Sequence, residues 1–293
     1  MDLELPPSVD VNDFLTENEP EYNWLIPGIL EVGDRLILTG REGHGKSTLL
    51  RQIGIQVAMG IHPFTLQDMK PFRVSVVDLE NPRSHLRREV RKIKRNLPID
   101  VGYLTISSWP AGLNLADKAG QMAFVRRMAE LKPDLLIIGP MYKMAPHLEQ
   151  ESDSAILSNF LDQLRISHNF TLLMESHQPH GVIVENKMHR PERPFGSSLW
   201  LRWPEFGLCL EDDGRLRPWR GARDETRIWP EKLVRADLWP WVSDVRRCVH
   251  CGNPLGLKQE KYCSERCGAA ERKATQRARS TQGSFIEEYD NQL

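Results

Sequence analysis

The sequence lacks any apolar run that approaches the roughly eighteen residues needed to cross a membrane. Its first residues, MDLELPPSVDVNDF, are acidic, whereas a secretory signal is first basic and then apolar. We therefore expect a cytoplasmic protein without a membrane partner.

An excess of charge of either sign is also lacking, and no internal repeat is present. The formal net charge is -1, so the molecule as a whole does not attract nucleic acid. Any binding of nucleic acid must therefore depend on local basic patches.

Short apolar runs alternate with longer amphipathic segments from Arg35 onward, which is typical of a βαβ series. The predicted strands are RLILTG, RVSVVDLE, YLTIS, DLLIIG, FTLLMES and EFGLCLED. The predicted helices are STLLRQIGIQVAMG, SHLRREVRKIKRNL, DKAGQMAFVRRMAELK and DSAILSNFLDQLRIS. We expect an α/β fold with a mostly parallel β-sheet flanked by helices, plus a small C-terminal domain. The expected divisions are an arm at 1–23, a core domain at 24–243, a cysteine module at 244–280 and a polar tail at 281–293.

A glycine-rich segment, GREGHGKS, follows the first predicted core strand and opens directly into a helix. It fits the pattern G-x-x-x-x-G-K-[ST], in which backbone N–H groups surround phosphate oxygens and the lysine reaches the β- and γ-phosphates. The hydroxyl of Ser47 is the expected ligand of Mg²⁺ in this pattern. The segment predicts ATP binding through Gly40, Arg41, Glu42, Gly43, His44, Gly45, Lys46, Ser47 and Thr48.

The strand DLLIIG lacks an acidic residue at its carboxyl end, where Gly139 stands. Hydrolysis needs one carboxylate near the metal and another that activates water. Asp134 lies at the start of the same strand, about 16 Å from its carboxyl end, so it cannot substitute directly.

Two other predicted strands end in acidic residues, and parallel strands bring such ends to one crevice. Asp78 and Glu80 end one strand, where a spacing of two predicts that they share a face. Glu175 and His177 end the other. The alternative for each acid is a solvated strand end or a helix cap.

These features together resemble the RecA-like hexameric helicase group, especially the RepA-type and DnaB-type ATPases in the form found in actinobacteria and their phages. The resemblance spans roughly residues 24–241 and is carried by WLIPGILEVGDRLILTGREGHGKSTLLRQ, DLLIIGPMYK and RPFGSSLWLRWPE. It implies a RecA-like P-loop core that hydrolyses ATP and acts on single-stranded DNA as a homo-oligomer, with a hexamer as the expected assembly. Other replication or recombination proteins are further partners that it suggests.

The resemblance also implies roles for single residues. Glu80 matches the glutamate that polarises the attacking water, and His177 matches the sensor of the γ-phosphate. Arg220 and Arg223 match basic residues that reach the γ-phosphate of a neighbouring subunit. Gly139 departs from the aspartate of the group, and we expect Asp78 or Glu175 to compensate by acting on Mg²⁺ through water.

Six of the eight tryptophans lie between residues 200 and 241. Packing of a C-terminal extension on the sheet, or a subunit interface, is the favoured interpretation, and stacking on single-stranded bases is the alternative. The predicted helix SHLRREVRKIKRNL carries many basic residues, which fit a solvated face as well as a DNA contact.

Four of the five cysteines lie close together as Cys248-x2-Cys251 and Cys263-x3-Cys267, which is the spacing of a structural Zn²⁺ site. Ser264 is the expected cap of a helix that follows. Nine Lys or Arg against four Asp or Glu in residues 244–280 make this module the strongest basic patch of the chain. It resembles a treble-clef or zinc-ribbon finger for nucleic acid or for a protein partner. The remaining cysteine, Cys209, is expected to be a buried apolar residue.

The sequence therefore leaves two functions open. The first is an ATP-driven helicase or translocase. The second is an ATP-dependent loader, recombination mediator or nucleotide switch that binds DNA and partners without unwinding.

Overall fold

A computed structural model describes residues 8–17, 21–94, 102–179, 181–184, 187–189, 191, 193–221, 227, 229–244, 261–262 and 264–273. The α-helices are α1 (Val11–Thr16), α2 (Lys46–Met59), α3 (Arg83–Ile93), α4 (Lys118–Leu131) and α5 (Glu151–His168). The first seven strands are β1 (Trp24–Ile26), β2 (Leu30–Glu31), β3 (Arg35–Thr39), β4 (Val74–Asp78), β5 (Leu104–Ser108), β6 (Leu135–Gly139) and β7 (Thr171–Glu175). The others are β8 (Val182–Val184), β9 (Lys187–His189), β10 (Phe206–Leu210), β11 (Leu216–Arg220), β12 (Leu233–Val234) and β13 (Val242–Ser243).

The central sheet has seven strands in the order β11-β10-β3-β7-β6-β4-β5. All neighbours run parallel except β11, which pairs with β10 as an antiparallel edge strand. β3 lies inside the sheet between β10 and β7, so the loop that follows it emerges near the middle of the carboxyl edge. Ligands of open α/β sheets bind at this edge.

Helices cover both faces of the sheet, and the alternation of side chains along the strands explains why. In β3, Leu36 and Leu38 belong to the core beneath α2, whereas Ile37 faces the core beneath α4 and α5. Each face is thus apolar, as expected for a parallel sheet that is buried on both sides.

The six predicted core strands and four predicted helices are all confirmed within the described residues, with ends shifted by a few positions. Residues 265–273 are helical, and the N–H of Cys267 donates to Ser264 Oγ at 3.2 Å, which confirms the predicted cap. No helix among the described residues is long and apolar enough to span a membrane.

The segment 229–244 returns to the phosphate-loop helix after the sheet is complete. Gln52 of α2 fixes it with two hydrogen bonds: its Nε2 donates to the carbonyl of Trp241 at 2.6 Å, and its Oε1 accepts from the N–H of Trp241 at 2.8 Å. Trp239 and Trp241 are buried. Trp200 is buried too, so all three tryptophans pack in the interior of the protein.

Candidate active site

The phosphate loop joins β3 to α2 in the predicted context. Gly40, Gly43 and Gly45 all have positive φ, a conformation that glycine adopts without strain. Lys46 begins α2 and is buried, and its Nζ donates to the carbonyl of Arg41 at 2.9 Å. A backbone carbonyl of the loop thus fixes the side chain of Lys46 over the loop.

Burial is the largest effect on the Lys46 ammonium and lowers its pKa. The charges of Glu175, Glu42 and Glu80 act in the opposite direction. Three predicted acids therefore lie within electrostatic reach of the lysine, and they partly offset the effect of burial by favouring its charged form, which binds phosphate.

Glu175 is the acid in closest contact with the loop. Ser47 Oγ donates to Glu175 Oε1 at 2.7 Å, and the same carboxylate oxygen lies 4.0 Å from Lys46 Nζ. The side chain of Glu175 is only 13% exposed. A hydroxyl and a carboxylate are hard oxygen ligands of the kind that Mg²⁺ takes, so these two residues fit the metal.

Gly139 lies directly beside Glu175, at the end of the adjacent strand. A Cβ atom added at position 139 would come within 2.6 Å of Glu175 Cβ, closer than two carbons approach without a shift. The missing aspartate of β6 is thus matched by a glutamate on β7 that fills the adjoining space.

Asp78 has a different environment from the one expected. It is buried and forms a 2.6 Å ion pair with Arg51 of α2. Its Oδ1 also accepts from the backbone N–H groups of Glu80 and Asn81. Asp78 is thus occupied in joining α2 to the end of β4, and Glu175 is the better candidate for the metal.

Asp78 and Glu80 do not share a face, which corrects the expectation from their spacing. β4 ends at Asp78, and the chain then turns because Asp78 accepts from the next N–H groups. Glu80 is consequently exposed at the crevice.

Glu80 is oriented by a residue that the sequence analysis missed. Tyr142 OH donates to Glu80 Oε1 at 2.9 Å. Burial raises the pKa of Tyr142 to about 12, with the Glu80 hydrogen bond as the next cause. The phenol therefore stays protonated at neutral pH and remains a donor. A signal was present in the sequence, since Tyr142 follows the end of β6 by only three residues.

His177 completes this group of side chains. Its ring lies 5.5 Å from that of Tyr142, centroid to centroid, and its Nδ1 lies 3.5 Å from Glu42 Oε1. Since 3.5 Å is long for a hydrogen bond, the ring retains a polar atom for a ligand. Glu80, Tyr142 and His177 thus form a cluster beside the phosphate loop.

The other predicted residues are not part of this cluster. Arg220 ends β11 opposite Gly207, near the start of β10, at the edge of the sheet away from its own phosphate loop. Its Nη1 donates to the carbonyl of Leu201 at 3.1 Å. Arg223 lies outside the described residues.

The zinc prediction also falls largely outside the described residues, which include Cys267 but not Cys248, Cys251 or Cys263. Among the described residues, no group of His, Cys, Asp or Glu forms a metal site of three or more ligands. Cys209 is buried and accepts from Gln178 Nε2 at 3.2 Å, in line with its expected packing role.

A phosphate loop on an inner strand of a parallel sheet, with acids at the carboxyl ends of β4 and β7, defines a P-loop ATPase. The AAA domain family matches residues 2–181, and the chain belongs to this family. ATP and Mg²⁺ are the typical ligands of the family.

Solved structures that are similar to this one include a KaiC-like protein from the hyperthermophilic archaeon Pyrococcus horikoshii. The two chains share 16% identity over 73% of this chain and 91% of that chain, with a TM-score of 0.47. No curated protein matches the sequence.

Proposed function

We propose that this ATPase is a motor that acts on DNA, a helicase or translocase of the RepA/DnaB-like kind in replication or recombination. The ATP hydrolysis that drives such a motor is supported by Glu80, which accepts from Tyr142 OH at 2.9 Å and whose charge acts on Lys46 of the phosphate loop. An acid held in this way is positioned to activate water.

Hydrolysis would then proceed with Glu80 as the general base. Its carboxylate accepts a proton from the attacking water while the water oxygen bonds to the γ-phosphorus and the bond to the ADP oxygen breaks. Lys46 neutralises charge on the phosphates. Ser47 and Glu175 would hold Mg²⁺, which supplies further neutralisation of that charge.

His177 is well placed to report the state of the γ-phosphate, since it lies beside Glu42 of the loop and Tyr142 of the Glu80 cluster. β8 and β9, which pair as an antiparallel hairpin, follow His177 in sequence, and we expect them to respond to a change at this ring.

DNA contact would come from basic surfaces. In α3, Leu86 and Ile93 are buried, whereas Arg87, Arg88 and Arg91 are exposed. These cations, together with the basic module at 244–280, would bind the phosphates of single-stranded DNA.

The test is ATP turnover with and without single-stranded DNA, together with strand displacement on a forked duplex. We expect turnover to rise with DNA and to fall at least about 100-fold in Glu80→Gln, as for loss of a general base. Glu149→Gln, an exposed substitution of the same kind, should leave turnover unchanged.

A loader, mediator or nucleotide switch is the second candidate, and what favours it is that Gly139 departs from the aspartate of the helicase group. DNA-stimulated turnover that Glu80→Gln abolishes, without any strand displacement, would contradict the helicase and leave a translocase or a DNA-dependent switch. No turnover at any protein concentration would exclude both catalytic forms.

A further inference from the structure

Arg235 lies flat on Trp241 beside the phosphate loop. Its guanidinium carbon is 3.6 Å from the centroid of the indole ring. A Cβ atom at Gly45 would come within 2.7 Å of Arg235 Nη2 and 3.1 Å of the indole. The guanidinium thus touches the last glycine before the lysine of the loop.

The indole under Arg235 is rigidly held. Trp241 is 4% exposed, its backbone makes both hydrogen bonds to Gln52, and its Nε1 donates to the carbonyl of Gly45 at 3.3 Å. A planar guanidinium stacked on a fixed ring keeps its orientation, so little side-chain entropy remains to be lost when it binds an anion.

The geometry of α2 shows which side of the loop Arg235 approaches. Successive residues of a helix are about 100° apart, so positions 45 and 52 share one face and positions 47 and 51 share nearly the opposite face. Ser47 and Arg51 contact Glu175 and Asp78. The Arg235–Trp241 stack therefore flanks the loop on the side away from the catalytic carboxylates.

The γ-phosphate of a bound nucleotide must lie near those carboxylates, since hydrolysis occurs there. The α-phosphate of a nucleotide bound along the loop would then lie farther from those carboxylates, toward the flank where Arg235 contacts Gly45. Arg235 is exposed, and within the described part of the chain no carboxylate pairs with its guanidinium. The guanidinium is therefore accessible to a bound phosphate, with which it can form charged hydrogen bonds.

We propose that Arg235, positioned by Trp241, binds the α-phosphate of ATP or ADP in its own subunit. It differs in this from Arg220 and Arg223, which are predicted to reach the γ-phosphate of a neighbour. This inference rests on ATP binding by the phosphate loop and is independent of the proposed action on DNA.

Calorimetric titration of the full chain with ADP and with a non-hydrolysable ATP analogue, both with Mg²⁺, tests the proposal. In Arg235→Ala we expect both affinities to fall by about tenfold or more, as for loss of a charged hydrogen bond. Arg126→Ala is the matched control, since it removes an exposed arginine from α4, and both affinities should equal those of the wild type.

The melting temperature without nucleotide, compared with that of Arg126→Ala, shows whether Arg235→Ala is folded. If it is not, Arg235→Lys replaces it, and we expect weaker binding of both nucleotides because lysine lacks the planar fork. Affinities within about twofold of the wild type would overturn the proposal. A loss confined to the ATP analogue would also overturn it, because it would place Arg235 at the γ-phosphate. No binding by the wild type would instead contradict the function of the phosphate loop itself.

Discussion

Glu175 and Gly139 are best understood as a pair. The two residues end adjacent strands, and the Cβ of Glu175 leaves no room for one at position 139. A carboxylate is thus present one strand away, on β7, where it accepts from Ser47. A glycine in place of the expected aspartate is therefore compatible with an intact metal site.

The pair predicts the outcome of exchanging the two residues. Gly139→Asp alone should weaken Mg²⁺-dependent ADP binding because the new side chain displaces Glu175. Gly139→Asp combined with Glu175→Gly should recover part of that binding, because the clash is removed and a carboxylate is restored. Calorimetry with and without Mg²⁺ measures both effects.

A stability control accompanies this exchange. Gly139→Ala should lower the free energy of unfolding by about 1–3 kcal/mol, as for overpacking of a filled site. Gly221→Ala, where an added Cβ has no neighbour within 4 Å among the described residues, should cost much less. Equal stability of the two variants in urea would contradict the steric argument.

Tyr142 is expected to act by positioning Glu80. Tyr142→Phe removes the 2.9 Å hydrogen bond, so we expect turnover to fall by about tenfold while the affinity for ADP is unchanged. Steady-state kinetics and ADP titration separate the two quantities. A loss of ADP affinity as large as the loss of turnover would indicate a binding role instead.

The same residue predicts a pH dependence at alkaline pH. The pKa of Tyr142 is raised to about 12, so between pH values of about 10 and 12 the folded state holds a proton that the unfolded state has lost. Stability from this group is complete below about pH 10 and decreases as the pH rises. Tyr142→Phe should show a smaller decrease over this interval in urea unfolding.

At the scale of elements, the sequence predicts the core strands and main helices because each has a clear period. β6 is an uninterrupted apolar run and is buried on both faces. In α5, apolar residues recur three and four positions apart. Local patterns of this kind require no knowledge of the neighbouring elements.

Contacts between distant segments were not predictable in the same way. The hydrogen bond from Tyr142 to Glu80, the ion pair of Arg51 with Asp78, and the stack of Arg235 on Trp241 depend on strand order and on the path of the extension. Neither the strand order nor the path of the extension follows from the periodicity of the sequence. The position of Asp78 at the end of a strand was predictable, but its ion pair with Arg51 was not.

Gln52 is expected to anchor the extension at 229–244. In Gln52→Ala the buried N–H and carbonyl of Trp241 lose their partners, at a cost of about 1–3 kcal/mol each. Urea unfolding should show this loss, and Gln67→Ala, an exposed change of the same type, should show almost none. A Gln52→Ala variant as stable as the wild type would mean that the extension is held by other contacts.

At the scale of the whole molecule, the cysteine module predicts about one Zn²⁺ per chain. Metal analysis of gently purified protein measures this content, and Cys248→Ser should reduce it because a thiolate ligand is lost. Cys209→Ser, which alters the buried cysteine of β10, is the matched control and should retain the metal. Zinc near zero in the wild type would contradict the module.

Assembly is the second prediction at this scale. If Arg220 reaches the γ-phosphate of a neighbour, light scattering should show a larger species with ATP, and Arg220→Ala should lower turnover without weakening ADP binding. Its position at the edge of the sheet away from its own loop agrees with action on another subunit. A monomer with full turnover would contradict this role.

The inner position of β3 determines where the chain can be shortened. A truncation after residue 181, where the family match ends, would remove β10 and β11 and leave β3 at the boundary of the sheet. The backbone groups of residues 36–39 that now pair with β10 would then be exposed as an unprotected edge, a common site of aggregation. The protein therefore needs β10 and β11, which follow residue 181, to protect β3 from aggregation.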